Sequence, residues 1–207
     1  QMRPGVLLNR WTLFAAALLL AAGLIRNDYY LSLLNFVGLN TLLVVGLNLL
    51  MGYAGQISLG HAAFFGLGAY TSGILTATCG LNPWLALLAG LAVSGVAAFA
   101  SGIPALKLKG YYLAMATLGF GIIVYIILNE ATPLTGGPSG LEGIPPLALP
   151  GFALDTPARL YFLIWPTVGL ILAFSANLVN SRTGRALRAL HDSEAGAQSL
   201  AVDTQRL

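Results

Sequence analysis

A chain of 207 residues with 8% charged and 57% hydrophobic side chains cannot be a water-soluble domain without large exposed apolar patches; soluble domains carry about 25% charged residues. The single Cys79 excludes a disulfide within the chain and the common Cys/His zinc spacings. A net charge of +3 and a pI near 9.2 do not argue for nucleic acid, because the basic residues sit at the ends of apolar runs, where orientation signals belong.

The fold class is therefore an all-α polytopic membrane protein, one transmembrane domain over residues 1–207. A crossing needs about 20 mainly apolar residues, and six segments qualify. The first, 11–25, is short; residues 6–8 extend it if Arg10 snorkels. No clean small-residue cleavage site follows it, so it reads as a retained helix. The second is 29–51, and the third runs from residue 57 to 77. Asn82 and Pro83 supply a cap and a first-turn proline for the fourth, which reaches residue 106. The fifth is 111–128, and the sixth is 160–179, with a kink expected at Pro166. Because the chain starts at Gln1 and stops at Leu207 inside an amphipathic run, it is expected to be part of a longer protein, cut short at its C-terminus.

Six spans with the N-terminus inside place Arg3, Arg10, Lys107, Lys109, Arg182, Arg185, Arg188 and Arg206 on the cytoplasmic side. Arg26 and Arg159 alone fall outside. A missed span would scramble that asymmetry, so it supports both the helix count and the orientation.

Between Asp28 and Lys107 no Asp, Glu, Lys or Arg occurs. In the middle of that stretch stands Gly52-Tyr-Ala-Gly-Gln-Ile-Ser-Leu-Gly-His-Ala-Ala-Phe-Phe-Gly-Leu-Gly68. Unpaired backbone is not tolerated against lipid, so a glycine-broken polar segment here must be shielded by protein or line a pathway. Gly52, Gly55 and Gly60, flanking Gln56 and Ser58, suggest a bent lead-in or half-helix. From Ala62 on, Ala62, Gly66, Ala69, Gly73 and Ala77 form a stripe within about 80° of arc, which fits close helix packing. His61 is the one histidine in the stretch; it is either functional or a neutral imidazole bonded to a neighbouring carbonyl. Gln56, Ser58 and His61 are the pathway candidates, with Asn40 and Asn48 as additions that alternatively serve as interhelical hydrogen-bond partners. Ser58 and His61 also invite a hydrolase reading, but no carboxylate lies near in sequence to orient the imidazole. No catalytic or metal site is assigned.

The outer loop, 129–158, holds six of the ten prolines and five glycines, too many to sustain a long helix and over-long for a plain connector. Thr135-Gly-Gly-Pro-Ser-Gly140 lacks the lysine and the preceding strand of a phosphate loop. On the cytoplasmic side, residues 180–207 carry an arginine cluster that positive-inside and anionic lipid explain. The apolar positions Leu187, Leu190, Ala197 and Leu200 suit a helix lying in a partner's groove.

The run from Gly52 to Tyr70 resembles the signature of branched-chain amino-acid ABC transporter permeases, of the LivM-type subunit. Lys107-Leu-Lys-Gly-Tyr-Tyr-Leu-Ala-Met-Ala-Thr-Leu-Gly119 resembles that family's segment after the fourth span. Leu134-Thr-Gly-Gly-Pro-Ser-Gly-Leu-Glu-Gly-Ile-Pro-Pro146 resembles its outer loop. The resemblance covers most of the chain from about residue 30. It implies an importer subunit of the bacterial cytoplasmic (inner) membrane that passes leucine, isoleucine or valine inward. The implied partners are a homologous second permease subunit, two cytoplasmic ATPase subunits and a periplasmic substrate-binding protein. It further implies no cofactor on this chain, with ATP on the partner subunits, and no enzymatic activity of its own. Gly136, Gly137, Gly140 and Glu142 become the binding-protein docking or gating surface. Glu194-Ala-Gly-Ala197 followed by Leu200-Ala-Val-Asp203 resembles the ATPase-docking loop, with Arg185, Arg188, Glu194, Gly196 and Ala197 as its residues. Gly196 and Ala201 depart from the family pattern there, and alanine tolerates a left-handed turn poorly. Urea or short-amide permeases share the pattern, and a passive channel or an intramembrane hydrolase are remoter alternatives.

Overall fold

The computed structural model describes residues 27–192 apart from 106, 107, 109, 150 and 151. The expected first span, Lys107, Lys109 and the 193–207 segment lie outside the described residues.

The first described helix, α1 (Asp28–Leu47), opens where the Asn27 side chain accepts from the Tyr29 amide at 3.0 Å, a sound N-cap. It widens without a break into a π-helical turn, Asn48–Tyr53, so that 26 residues run continuously. An irregular stretch, 54–60, leads to α2 (His61–Ala77). Next comes α3 (Pro83–Ala105), where Asn82 accepts from the Trp84 amide at 2.9 Å and Pro83 holds the first position. Gly110, at φ 54, precedes α4 (Tyr111–Glu130). The loop that follows is more ordered than its proline content predicts. It holds a single helical turn α5 (Thr132–Thr135), a 3-10 turn (Gly137–Ser139), and the short antiparallel strands β1 (Ala148–Leu149) and β2 (Phe152–Ala153). The last spanning helix, α6 (Pro157–Asn180), starts three residues earlier than expected and retains Pro166 within it. A polar amphipathic helix, α7 (Arg182–Asp192), closes the described chain.

Among the described residues, four helical stretches are long and apolar enough to cross a membrane: Asp28–Tyr53, Pro83–Ala105, Tyr111–Glu130 and Pro157–Asn180. The third expected span is a broken one. At about 1.5 Å per residue, α2 rises only about 25 Å, short of a hydrocarbon core of about 30 Å. Residues 57–60, expected as its first turn, are non-helical, as the crowding of Gly55 and Gly60 suggests. Large apolar side chains on every spanning helix point outward, among them Phe36, Leu91, Phe99, Tyr125 and Phe174. Such a surface needs lipid or further protein around it.

Packing divides the helices by neighbour. Along α1 lies α6: a Cβ at Gly38 would stand 2.7 Å from Ile164 Cγ2, and the Asn35 amide donates to the Pro157 carbonyl at 2.8 Å. Along α2 lies α3: a Cβ at Gly90 would stand 2.6 Å from the Gly68 carbonyl oxygen, and the Ser94 hydroxyl donates to the Phe64 carbonyl at 2.9 Å. This is backbone-to-backbone approach through small residues, which replaces the hydrophobic driving force that lipid removes. On its other side α2 meets α4 through Gly66 beneath Leu128 and through the Phe64 and Phe120 rings, 5.2 Å apart.

Candidate functional site

Three backbone amides of the break between α1 and α2 have partners. The Ala54 amide donates to the Leu49 carbonyl at 3.2 Å and the Gln56 amide to Leu50 at 3.1 Å, closing the π turn. Gly55, at φ 67, then reverses the chain in a region that side chains rarely adopt. The next amide needing help, that of Leu59, donates to the Thr117 hydroxyl of α4 at 3.0 Å, while that hydroxyl donates to the Ala114 carbonyl at 3.0 Å. Gly60 rests directly on the Thr117 carbonyl, and Gly121 faces the Gly60 Cα. Within this non-helical stretch Ala54, Ser58 and Gly60 are buried against protein, while Gly55, Ile57 and Leu59 are exposed. Wide π turns recur at functional sites.

Gln56, Ser58 and His61 share this short segment. Ser58 is buried, and Gln56 and His61 are half-buried. The His61 ring begins α2 and reaches across to α1, where a Cβ at Gly46 would lie 3.2 Å from its Nε2. Asn40 is not brought to it, whereas the Asn48 side-chain oxygen lies against Gly52, at the head of the glycine-broken run. Asn48 stands about 200° around α1 from Gly46 at 100° per residue, and both asparagines are exposed. The Asn40 amide closes on its own helix at the Phe36 carbonyl, 2.8 Å away. Asn40 contributes to an open groove of about 320 Å³ with Phe36, Val37, Thr41, Val44 and Val45, formed from one side of α1 alone. The buried interhelical amide is Asn35, which the sequence reading did not single out. Thr117 was also missed as a site residue, although it lies inside the 107–119 motif, where an aliphatic hydroxyl amid apolar residues was the available signal.

At the opposite end, the 131–149 loop forms a compact cap. The buried Thr135 hydroxyl donates within reach of the Leu128 and Ala131 carbonyls, at 2.7 and 2.9 Å, and accepts from the Gly137 amide at 3.1 Å. Gly136, Gly137 and Gly140 all have positive φ, and Gly136 lies against the Gly140 carbonyl. Leu141 and Ile144 cover Gly73 of α2, so the stripe glycine serves this cap rather than a helix. Glu142 is exposed on it. The Trp84 ring nitrogen donates to the Ala148 carbonyl at 2.7 Å, and Arg159 reaches both the Ala153 carbonyl and Asp155 at 2.7 Å.

At the α7 end, Arg188 donates to the Val179 and Gly184 carbonyls at 3.1 and 3.3 Å, and Arg185 to Asn180 at 3.4 Å. Guanidinium groups on the exposed last carbonyls of α6 complement its negative end. The Ser181 hydroxyl donates to Leu178 at 2.6 Å and accepts from the Gly184 amide at 3.3 Å, and Gly184 sits on the Leu178 and Val179 carbonyls. The docking candidates Glu194, Gly196 and Ala197 lie outside the described residues.

Fold and break together define an all-α polytopic membrane protein with an interrupted span. Residues 29–207 match the family of the branched-chain amino acid transport system permease component, and the chain belongs to that family. It is similar to the high-affinity branched-chain amino acid transport system permease protein LivM of Salmonella typhimurium, at 36% identity over 70% of this chain and 39% of that protein. LivM of Escherichia coli K12 is 35% identical over the same shares. The chain thus spans well under half the length of the curated relatives it matches. No solved structure gives a significant match.

Proposed function

We propose that this chain is a membrane subunit of an ATP-driven importer that passes branched-chain amino acids into the cytoplasm of a bacterium. The reading is carried by the interrupted span: Gln56, Ser58 and His61 are held inside an apolar bundle, in a member of a permease family. The subunit sits in the inner membrane with its N-terminus cytoplasmic, paired with a homologous permease and two ATPase chains. A periplasmic binding protein delivers substrate to the cap carrying Gly136, Gly137, Gly140 and Glu142. The 194–197 segment meets the ATPases, with Arg185 and Arg188 holding α7 in place on α6. The chain hydrolyses nothing itself; ATP is spent on the partner subunits, and the two openings of the pathway are states that ATP binding favours unequally.

Uptake of labelled leucine against labelled urea, in a deletion strain complemented with the full-length gene, tests the substrate. Leucine uptake is expected to return. Urea uptake alone would move the substrate to short amides, and failure to co-purify with two ATPase chains would favour a passive channel.

A further inference from the structure

The described helices form two groups that are interlocked internally and barely touch each other. In the first, α1 and α6 are tied by Asn35 and Gly38, and α7 is tied to α6 through Ser181 and Arg188. α7 touches the π turn at the end of α1 no more extensively than α1 touches α2. In the second, α2 is locked to α3 at Gly68 and Gly90, to α4 at Gly60 and Gly66, and to the cap at Gly73. Between the groups, α1 meets α2 only sparsely, with His61 against Gly46.

Among the described residues two links join the groups, one at each end of the bundle. At the α7 end, the last described backbone bonds of the first group are the Ala54 and Gln56 amides on Leu49 and Leu50. The first bond of the second group is the Leu59 amide on Thr117. Ile57 and Ser58 alone lie between those bonded sets, immediately after Gly55 at φ 67. At the cap end, the β1–β2 hairpin is bonded to both groups: Ala148 accepts from Trp84 of α3, and Ala153 from Arg159 of α6.

We infer that the chain moves as two bodies, α1–α6–α7 against α2–α3–α4 and the cap, about an axis through the 55–58 link and the hairpin, opening the seam between Gly46 and His61. Close-packed groups resist continuous deformation, so a conformational change concentrates in the few residues that bind neither side. The π turn places its wider, weaker bonding beside that link. Because α7 is fixed to α6, a push on α7 is delivered to α1 and α6 rather than absorbed at the α6–α7 corner. The source of that push rests on the importer reading; the division into two bodies does not.

Spin labels at exposed positions test it, in the full-length protein with Cys79→Ser, in lipid nanodiscs, alone and assembled with its ATPase chains. Phe99→Cys with Phe174→Cys spans the two bodies. Leu33→Cys with Phe174→Cys stays within the first, and Phe99→Cys with Tyr112→Cys within the second. The spanning pair is expected to show a broader distance distribution than either control in the protein alone, and to shift by several ångströms when a non-hydrolysable ATP analogue binds the assembly. A spanning pair as narrow as the controls overturns the two-body division, whether or not ATPase chains bind. A spanning pair unmoved in an assembly that hydrolyses ATP overturns the lever role of α7. Failure of the ATPase chains to assemble counts against the importer reading instead, and leaves the width comparison to decide the two bodies.

Discussion

The Leu59 backbone amide donates to the Thr117 hydroxyl at 3.0 Å, tying the non-helical break to α4. A buried amide without a partner costs about 1–3 kcal/mol in protein hosts, which is an upper range for this exposed bond. Thr117→Val keeps the shape and removes the acceptor, so it is expected to lose up to that much stability, whereas Thr117→Ser restores the acceptor and most of the loss. Thermal melting of the purified protein in detergent checks the order. A Val variant that melts with the wild type removes the bond from the account.

Gly60 and Gly119 give a second, sharper contrast. A Cβ at Gly60 would enter the Thr117 carbonyl, a rigid backbone neighbour, while one at Gly119 meets nothing within 4 Å. Gly60→Ala is therefore expected to destabilise by about 1–3 kcal/mol through forced displacement of the break from α4. Gly119→Ala, in the interior of α4, is expected to stabilise by up to about 1 kcal/mol through helix propensity. Equal melting points for the two variants would contradict the packing described at Gly60.

In the cap, Gly136 combines φ 75 with a Cβ position blocked by the Gly140 carbonyl, while Gly80 has φ 64 in open space. Gly80→Ala is expected to cost about 1–2 kcal/mol, the ordinary left-handed penalty. Gly136→Ala adds the clash and should unfold the cap locally, read as faster proteolysis within 131–149. Deleting residues 136–143 is expected to abolish uptake while leaving membrane insertion intact. Normal uptake after that deletion would remove the cap from the transport cycle.

The spans within the described residues were legible because about 20 apolar residues in a row admit one reading, and the break was legible because glycines crowd around Gln56 and Ser58. The packing partners were not. A single stripe of small residues predicts one neighbour, but the glycines of α2 meet three described elements: α4 beneath Gly66, the cap over Gly73, and α3 at Gly68, two residues from Gly66 and outside the stripe. Asparagines at 35, 40 and 48 look alike in sequence. Only the three-dimensional neighbour, a carbonyl at Pro157 far along the chain, makes Asn35 the interhelical tie. The π turn leaves no trace in periodicity, since one wide turn shifts the pattern by a single residue.

The α6–α7 corner depends on Gly184, which is buried against the Leu178 and Val179 carbonyls. Gly184→Ala cannot be accommodated by a flexible side chain, because both neighbours are backbone; α7 must swing or its first turn must open. The expected cost is about 1–3 kcal/mol, while Thr183→Ala, at an exposed neighbour, should stay within about 0.5 kcal/mol. If α7 transmits the action of the ATPases, Gly184→Ala is expected to lower uptake more than it lowers ATPase association, because the surface is kept and its attachment is lost. Glu194→Lys makes the complementary cut, reversing a charge proposed to sit on the docking surface itself, so co-purification of the ATPase chains should fall along with uptake. Unchanged association and uptake in the Glu194 variant would remove that residue from the docking surface. Equal loss of association in the Gly184 and Glu194 variants would mean that the corner shapes the surface rather than transmitting force through it.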